Sequence, residues 1–419
     1  MKKSIVFVLA VFLLLSTLSG CEEAPVVTPE NTTEEMTKDS PVTDSLVNSE
    51  NTTEEIIKDS PITDFYYEER DNGITIIKYR GTDEHVVIPS TINNVPVTVI
   101  NTIAFHDSIN LKSVVIPENV TIIEETFFIF CKDLTNFIVA EGNKNFSSHD
   151  GVLYNKDKSQ LVLFPIGKEG TYIIPDCVKS ISEYAFYSCF NLTSITIPSG
   201  IESIGFRAFS NCPNLININV DKDNELYSSL NGVLYNKNQT QIITVPGGKT
   251  GTFEIPGSVA DIGAYAFYGC ISISNIKIPD SVTSIGEWAF SKCSNLKNIT
   301  IPNGIKEIKR SLFDGCTGLT NIVIPDSVTI IDESVFFKCT SLSDIELPSG
   351  LLSIGTRAFF GCTGLRDIII PENVATLGAV VFQDCLHVNI YVKQESQPAG
   401  WESNWNYLNF PVVWGYTGS

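Results

Sequence analysis

Apolar residues recur along this chain in one fixed order. From Asn191 the sequence reads NLTSITIPSGIESIGFRAFSNC, and from Asn295 it reads NLKNITIPNGIKEIKRSLFDGC; the apolar skeleton repeats while the letters between change. Aligned on isoleucine-proline, copies fall at Ile174, Ile197, Ile255, Ile278, Ile301, Ile324 and Ile370, with Leu347 filling the same slot before Pro348. Neighbouring copies are 23 residues apart. A fixed period of about 20–50 residues predicts a solenoid, whose units stack because none can bury its own apolar face.

Within a unit, Leu192-x-x-Ile195-x-Ile197 predicts a strand with those three side chains inward and Thr196 outward. The proline that follows ends the strand. Ile201 and Ile204 bring the chain back across the core, and Ala208-Phe209 sets a small residue beside a large one. Stacked phenylalanines are expected to form one spine from Phe105 to Phe382. Two steps, Ile116 to Ile174 and Ile197 to Ile255, are 58 residues, or 23 + 35. Each extra segment holds two apolar runs, such as Val152–Tyr154 and Leu161–Phe164, and predicts a β-hairpin protruding from a coil. The first copy, Ile88 to Ile116, absorbs five extra residues near Asn93–Thr98.

The N-terminus changes the picture. Lys2 and Lys3 precede an apolar run from Ile5 to Leu15, too short to span a bilayer and flanked like a signal peptide. Leu18-Ser19-Gly20-Cys21 resembles the lipobox of bacterial lipoproteins, which implies that Cys21 becomes the first mature residue and carries lipid. Residues 22–64 carry 12 acidic and 2 basic side chains and few large apolar ones, and they repeat a unit of twenty residues. Such a segment cannot bury enough surface to offset its ordering entropy, and reads as a tether. The expected organisation is a lipoprotein signal peptide at 1–20, the acidic tether at 21–64 and an N-terminal β cap at 65–87. A solenoid of about ten units follows at 88–392, with hairpin insertions near 140–173 and 221–254, and a C-terminal cap at 393–419.

Charge and chemistry remove several functions. A net charge of −20 without a basic stripe argues against nucleic acid. Nine of the eleven cysteines, among them Cys131, Cys212, Cys293 and Cys385, share one repeat slot, and equivalent slots stack with parallel side-chain directions. A disulfide needs converging side chains, so the set reads as a ladder of buried thiols; Cys177 lies outside it. His85, His106, His149 and His387 sit in unrelated slots, so no pair has metal-ligand spacing. Asp221-x-Asp223-x-Glu225 begins like a calcium loop, but Leu226 stands where the turn glycine belongs. No nucleophile elbow or phosphate loop is present; the expectation is no enzyme, no cofactor and no metal.

The unit Ile-Pro-x-x-Val-x-x-Ile-x-x-x-Ala-Phe-x-x-Cys-x-x-Leu-x-x-Ile resembles the BspA-type (Treponema pallidum-type) leucine-rich repeats of bacterial surface proteins. The resemblance implies a right-handed leucine-rich repeat solenoid with a parallel β-sheet on the concave face and short strands, turns or 3-10 segments opposite. It also implies a cell-surface location and adhesin-like binding of a host matrix or cell-surface protein, another bacterial surface protein, or a glycan. Contact with a membrane is expected through the N-terminal lipid only, and the chain is expected to be monomeric. The outward strand residues vary while the skeleton does not: Val115, Ile138, Thr196, Asn219, Lys277, Thr300, Val323, Glu346 and Ile369 are the candidate binding positions. The small polar series two residues earlier, from Ser113 to Asp367, reads as a hydrogen-bonding ladder. A structural spacer without a specific ligand is the competing reading.

Overall fold

In a computed structural model the chain forms a parallel β-solenoid, described over residues 59–418 apart from 107, 125–127 and 129. Cys21, the leader and nearly all of the acidic tether lie outside the described residues. Each coil has three sides. The first carries the longer strands, such as Leu192–Ile197 and Asn217–Val220, paired in parallel with Ile195 opposite Ile218 and Thr196 opposite Asn219. Leu192, Ile195 and Ile197 are fully buried, as the alternation requires. Proline then turns the chain, its carbonyl accepting from the N–H three residues on, as from Val178 to Pro175 (3.0 Å) and from Ile305 to Pro302 (3.1 Å). The second side is a stack of two-residue strands, including Glu307–Ile308, Ile330–Ile331, Ser353–Ile354 and Thr376–Leu377.

Among the described residues the third side holds no regular strand, yet it is also hydrogen-bonded from coil to coil. The residue before the Ala-Phe pair is left-handed in successive coils: Tyr265, Trp288, Ser311, Ser334 and Arg357 have φ between 53° and 59°. Such a conformation costs a residue with a Cβ about 1 kcal/mol. Its N–H is thereby aimed at the next coil, Ser311 donating to the Glu333 carbonyl (2.9 Å) and Ser334 to that of Thr356 (2.9 Å). Two residues on, Phe313 donates to Val335 (2.9 Å) and Phe336 to Ala358 (2.8 Å). Each such bond contributes about 1 kcal/mol, enough to offset the left-handed turn.

The interior repeats as the exterior does. Phe267, Phe290, Phe313, Phe336, Phe359 and Phe382 stack with centroid spacings of 5.2–5.7 Å. The nine ladder cysteines are all buried. Most donate to the carbonyl of the phenylalanine one coil back, Cys316 to Phe290 at 3.1 Å and Cys362 to Phe336 at 3.0 Å. The slot therefore wants a small group that fills space and ties two coils together.

The inserted segments form hairpins, but they do not protrude. Phe146–His149 and Val152–Asn155 pair through a tight turn at Asp150-Gly151, both left-handed; Tyr227–Leu230 and Val233–Asn236 repeat this at Asn231-Gly232. The third strand of each, Gln160–Leu163 or Gln241–Thr244, joins the short-strand side, so the insertion is a coil of the stack. The run Val152-Leu153-Tyr154 is buried throughout because its alternate side chains serve two interiors. Leu153 belongs to the core before the hairpin, Val152 and Tyr154 to the one after it. Leu234, against Val233 and Tyr235, divides the second core from the third. The expected single spine is accordingly three: Phe105 with Phe128, then Phe164, Phe186 and Phe209, then the six from Phe267. Asn143 and Asn224 anchor the hairpins, buried, donating to carbonyls of the preceding coil and accepting two N–H groups each.

Both ends are closed. Tyr79, from the antiparallel pair Phe65–Arg70 and Gly73–Tyr79, lays its ring 5.8 Å from Phe105. The extra residues of the first copy make a second hairpin, turning at Asn93-Asn94 with φ of 54° and 65°. At the other end Trp405 caps the spine edge-on to Phe382 (6.3 Å), and Trp401 Nε1 donates to the Val374 carbonyl (3.0 Å).

Two outcomes follow for stability. Phe313→Ala should lower the free energy of unfolding by about 3–5 kcal/mol in urea titrations, because the ring is sandwiched on both faces. Burial pushes the thiols of Cys189, Cys270, Cys293, Cys316, Cys339, Cys362 and Cys385 upward, the last to about 12. An acid whose folded pKa lies above its unfolded one favours the unfolded state once pH passes the unfolded value, about 8.5 for cysteine. The urea midpoint should hold up to about pH 8.5 and fall steadily from there toward pH 12.

Candidate functional site

The long-strand side is built to carry a variable surface, because every second residue of its strands points outward over a fixed interior. The sequence-predicted residues occupy it in separate groups. Thr196 and Asn219 are cross-strand neighbours, and Asn219 Nδ2 donates to Ser194 Oγ (3.3 Å). Lys277 lies opposite Glu254 and pairs with it at 2.5 Å, which holds the Glu254 carboxyl below its usual range. Thr300 faces Val323 across adjacent strands, both exposed. Ile138 is 39% exposed, but Val115 is 7% exposed. Val115 thus does not belong to an open surface: it sits in a strand buried at all four positions, Ser113–Ile116, between Val87 and Ile138. The small polar series makes bonds between equivalent slots at Asp367 and Asn389 (3.0 Å) and at His85 and Ser113 (2.7 Å), while Asn136 turns to Thr135.

Val323, Glu346 and Ile369 come together. They line a groove of ≈ 970 Å³ that runs across three coils. Its cause is a break in the sheet: Asn321–Val323 ends one sheet, Asp367–Ile370 begins another, and Asp344–Leu347 between them belong to no strand. Asp344 and Asp367 occupy equivalent slots one period apart, and like charges directly opposed across a ladder destabilise pairing. Ile345 and Leu347, 9% and 8% exposed, are less sealed than their counterparts Ile368 and Ile370.

The walls are acidic. Asp326, Asp344, Glu346, Asp367 and Glu372 contribute five carboxylates against the single ammonium of Lys393, while Val323, at 50% exposure, and Ile369 offer apolar contact. Sequence reasoning reached Glu346 and the two apolar residues but missed the turn carboxylates Asp326 and Glu372. Their spacing, 46 residues or two periods, is the signal that would have placed them on one line. Among the described residues no three His, Cys, Asp or Glu side chains converge as a metal site. His85 is engaged with Ser113, and His106 packs edge-on against Phe130 (4.9 Å). In the segment resembling a calcium loop, Asp221 accepts the Asp223 N–H (2.8 Å) and Asp223 pairs with Lys222.

The family model for the BspA type leucine rich repeat region matches in six copies over residues 83–160, 170–256 and 260–389, well over half of the chain. Among solved structures the chain is similar to a leucine-rich repeat protein from Eubacterium ventriosum, at 24% identity over 80% of this chain and 95% of that one, with a TM-score of 0.49. It is also similar to a leucine rich cell surface protein from Faecalibacterium prausnitzii, at 26% identity over 86% and 100% of the two chains, with a TM-score of 0.44. The pneumococcal vaccine antigen PcpA is similar at 17% identity over 83% and 98%, with a TM-score of 0.45. A search of curated proteins finds no match.

The broken ladder has a direct readout. In native-state hydrogen exchange the amides of Asp344–Leu347 should lose protection at least tenfold faster than those of Asn298–Thr300, which sit in a paired strand.

Proposed function

Because the chain belongs to the BspA-type leucine-rich repeat family, we propose that it is a lipid-anchored bacterial surface protein that binds a protein partner on its long-strand side. The groove lined by Val323, Glu346 and Ile369 is the seat for a basic segment of that partner. One observation carries this reading: an excess of four negative charges, five carboxylates less one ammonium, converges on the exposed Val323 and the half-buried Ile369 where the sheet is interrupted. Lysine or arginine side chains would meet the carboxylates, and their methylene stems would cover Val323 and Ile369. The chain acts as a binding scaffold and not as an enzyme. The repeat architecture supports this, as do the structural engagements of His85 and His106.

Cys21 carries the lipid, and the acidic segment after it holds the solenoid away from the bilayer, extended by its own like charges. The partner is a host matrix or cell-surface protein, or a surface protein of another bacterium, and the role is adhesin-like. A pure spacer would not need an open acidic groove.

The test is binding of the full chain to a panel of purified matrix and bacterial surface proteins, read by interferometry at two ionic strengths. The double variant Asp344→Lys, Glu346→Lys should weaken the partner it captures at least tenfold, and wild-type binding should fall with added salt. Asn219→Lys, outside the groove, should bind as wild type does. Undiminished binding by the double variant would remove the groove from the function.

A further inference from the structure

A second surface lies where the short-strand side turns into the third side, away from the acidic groove. There the left-handed slots of four successive turns carry Tyr184, Arg207, Tyr265 and Trp288. The Arg207 guanidinium lies 4.5 Å from the ring centroids of Tyr265 and Tyr268, and 5.3 and 5.0 Å from those of Tyr184 and Tyr187. Four rings around one cation fix each other's positions. Tyr265 in turn stacks on Trp288 at 5.7 Å with planes 7° apart, and Phe206 meets Tyr265 edge-on at 4.8 Å while remaining 44% exposed. Arg207 and Tyr265 are 58 residues apart in sequence. They meet because the inserted coil contributes little to the third side, so that a Cβ on Gly269 would touch Asn211 at 3.2 Å.

Beside this cluster is a groove of ≈ 450 Å³. Phe206 and Tyr265 form one wall, and Glu287, Glu307, Asp332 and Lys309 line the rest. Gly286 also lines it; a Cβ there would come within 2.3 Å of the Ala264 nitrogen, as at the equivalent Gly205 and Gly378, so the glycine lets neighbouring coils approach. We infer that this groove binds an oligosaccharide of hexosamine units bearing free amino groups. A pyranose ring has an apolar C–H face that fits against an aromatic side chain, and the wall presents Phe206 and Tyr265 already locked in place. Charge complementarity selects the sugar: three carboxylates against one ammonium attract an amine-bearing ring and repel a uronate or sialate. An apolar peptide is a poor occupant, since half of the eight lining residues are charged.

Titration calorimetry on the full chain decides the matter, with a glucosamine hexamer as probe. The hexamer should bind. The N-acetylglucosamine hexamer, which lacks the charge, and a lysine hexapeptide, which lacks the ring, should each bind at least about tenfold more weakly. Phe206→Ala and Glu287→Gln should each weaken the glucosamine hexamer about fivefold or more while the melting temperature stays unchanged, because both residues are exposed. Equal binding of the lysine hexapeptide, indifference to Phe206→Ala, or preference for an acidic hexasaccharide overturns the inference. None of these results bears on the long-strand groove, whose variants lie on another side of the coil.

Discussion

Everything in this molecule depends on coils that bring the backbone back into the same register. A coil of 23 residues returns each backbone N–H and C=O to face its counterpart in the next coil, and all three sides use this. Side chains follow the backbone, so like meets like: phenylalanine on phenylalanine, and thiol under the carbonyl one coil back. No single coil could bury its face or satisfy its amides alone, and stability is a sum over neighbouring interfaces. At the two 35-residue insertions the chain adds a whole coil with a hairpin, and the stack resumes in register on the far side.

The period, the inward residues, the turn prolines and the buried thiols were all legible in the sequence, because each reflects a side chain's own preference repeated ten times. What escaped depends on neighbours. The left-handed slots hold Tyr, Arg, Trp, Ser and Val, with no glycine to announce them, since the conformation is imposed by bonds to the next coil. The hairpins were recognised, but their burial was not. The run Val152-Leu153-Tyr154, apolar at consecutive positions where a half-exposed strand would alternate, carried that information.

The same distinction explains the surfaces. Nine outward positions were read from alternation; they fall in separate groups, Val115 is buried and Lys277 is tied to Glu254. The acidic groove arises from a clash of charge between coils, Asp344 against Asp367, which only the stacking brings together. The aromatic cluster forms because the inserted coil leaves Arg207 and Tyr265 side by side. Function in such a protein is written in the departures from its repeat: the skeleton holds the coils in place, and each irregular coil opens a surface the regular ones do not have.

The constraint on coil length can be tested by removing one coil. Deletion of residues 278–300 takes out 23 positions and joins Lys277 to Ile301, restoring the register. Deletion of 279–300 takes out 22 and shifts every later side chain by one. In urea titrations followed by circular dichroism, the 23-residue deletion should unfold cooperatively with a slope reduced only in proportion to the lost surface, and the 22-residue deletion should lose the transition or move it sharply to low urea. Equal tolerance of both deletions would contradict the account.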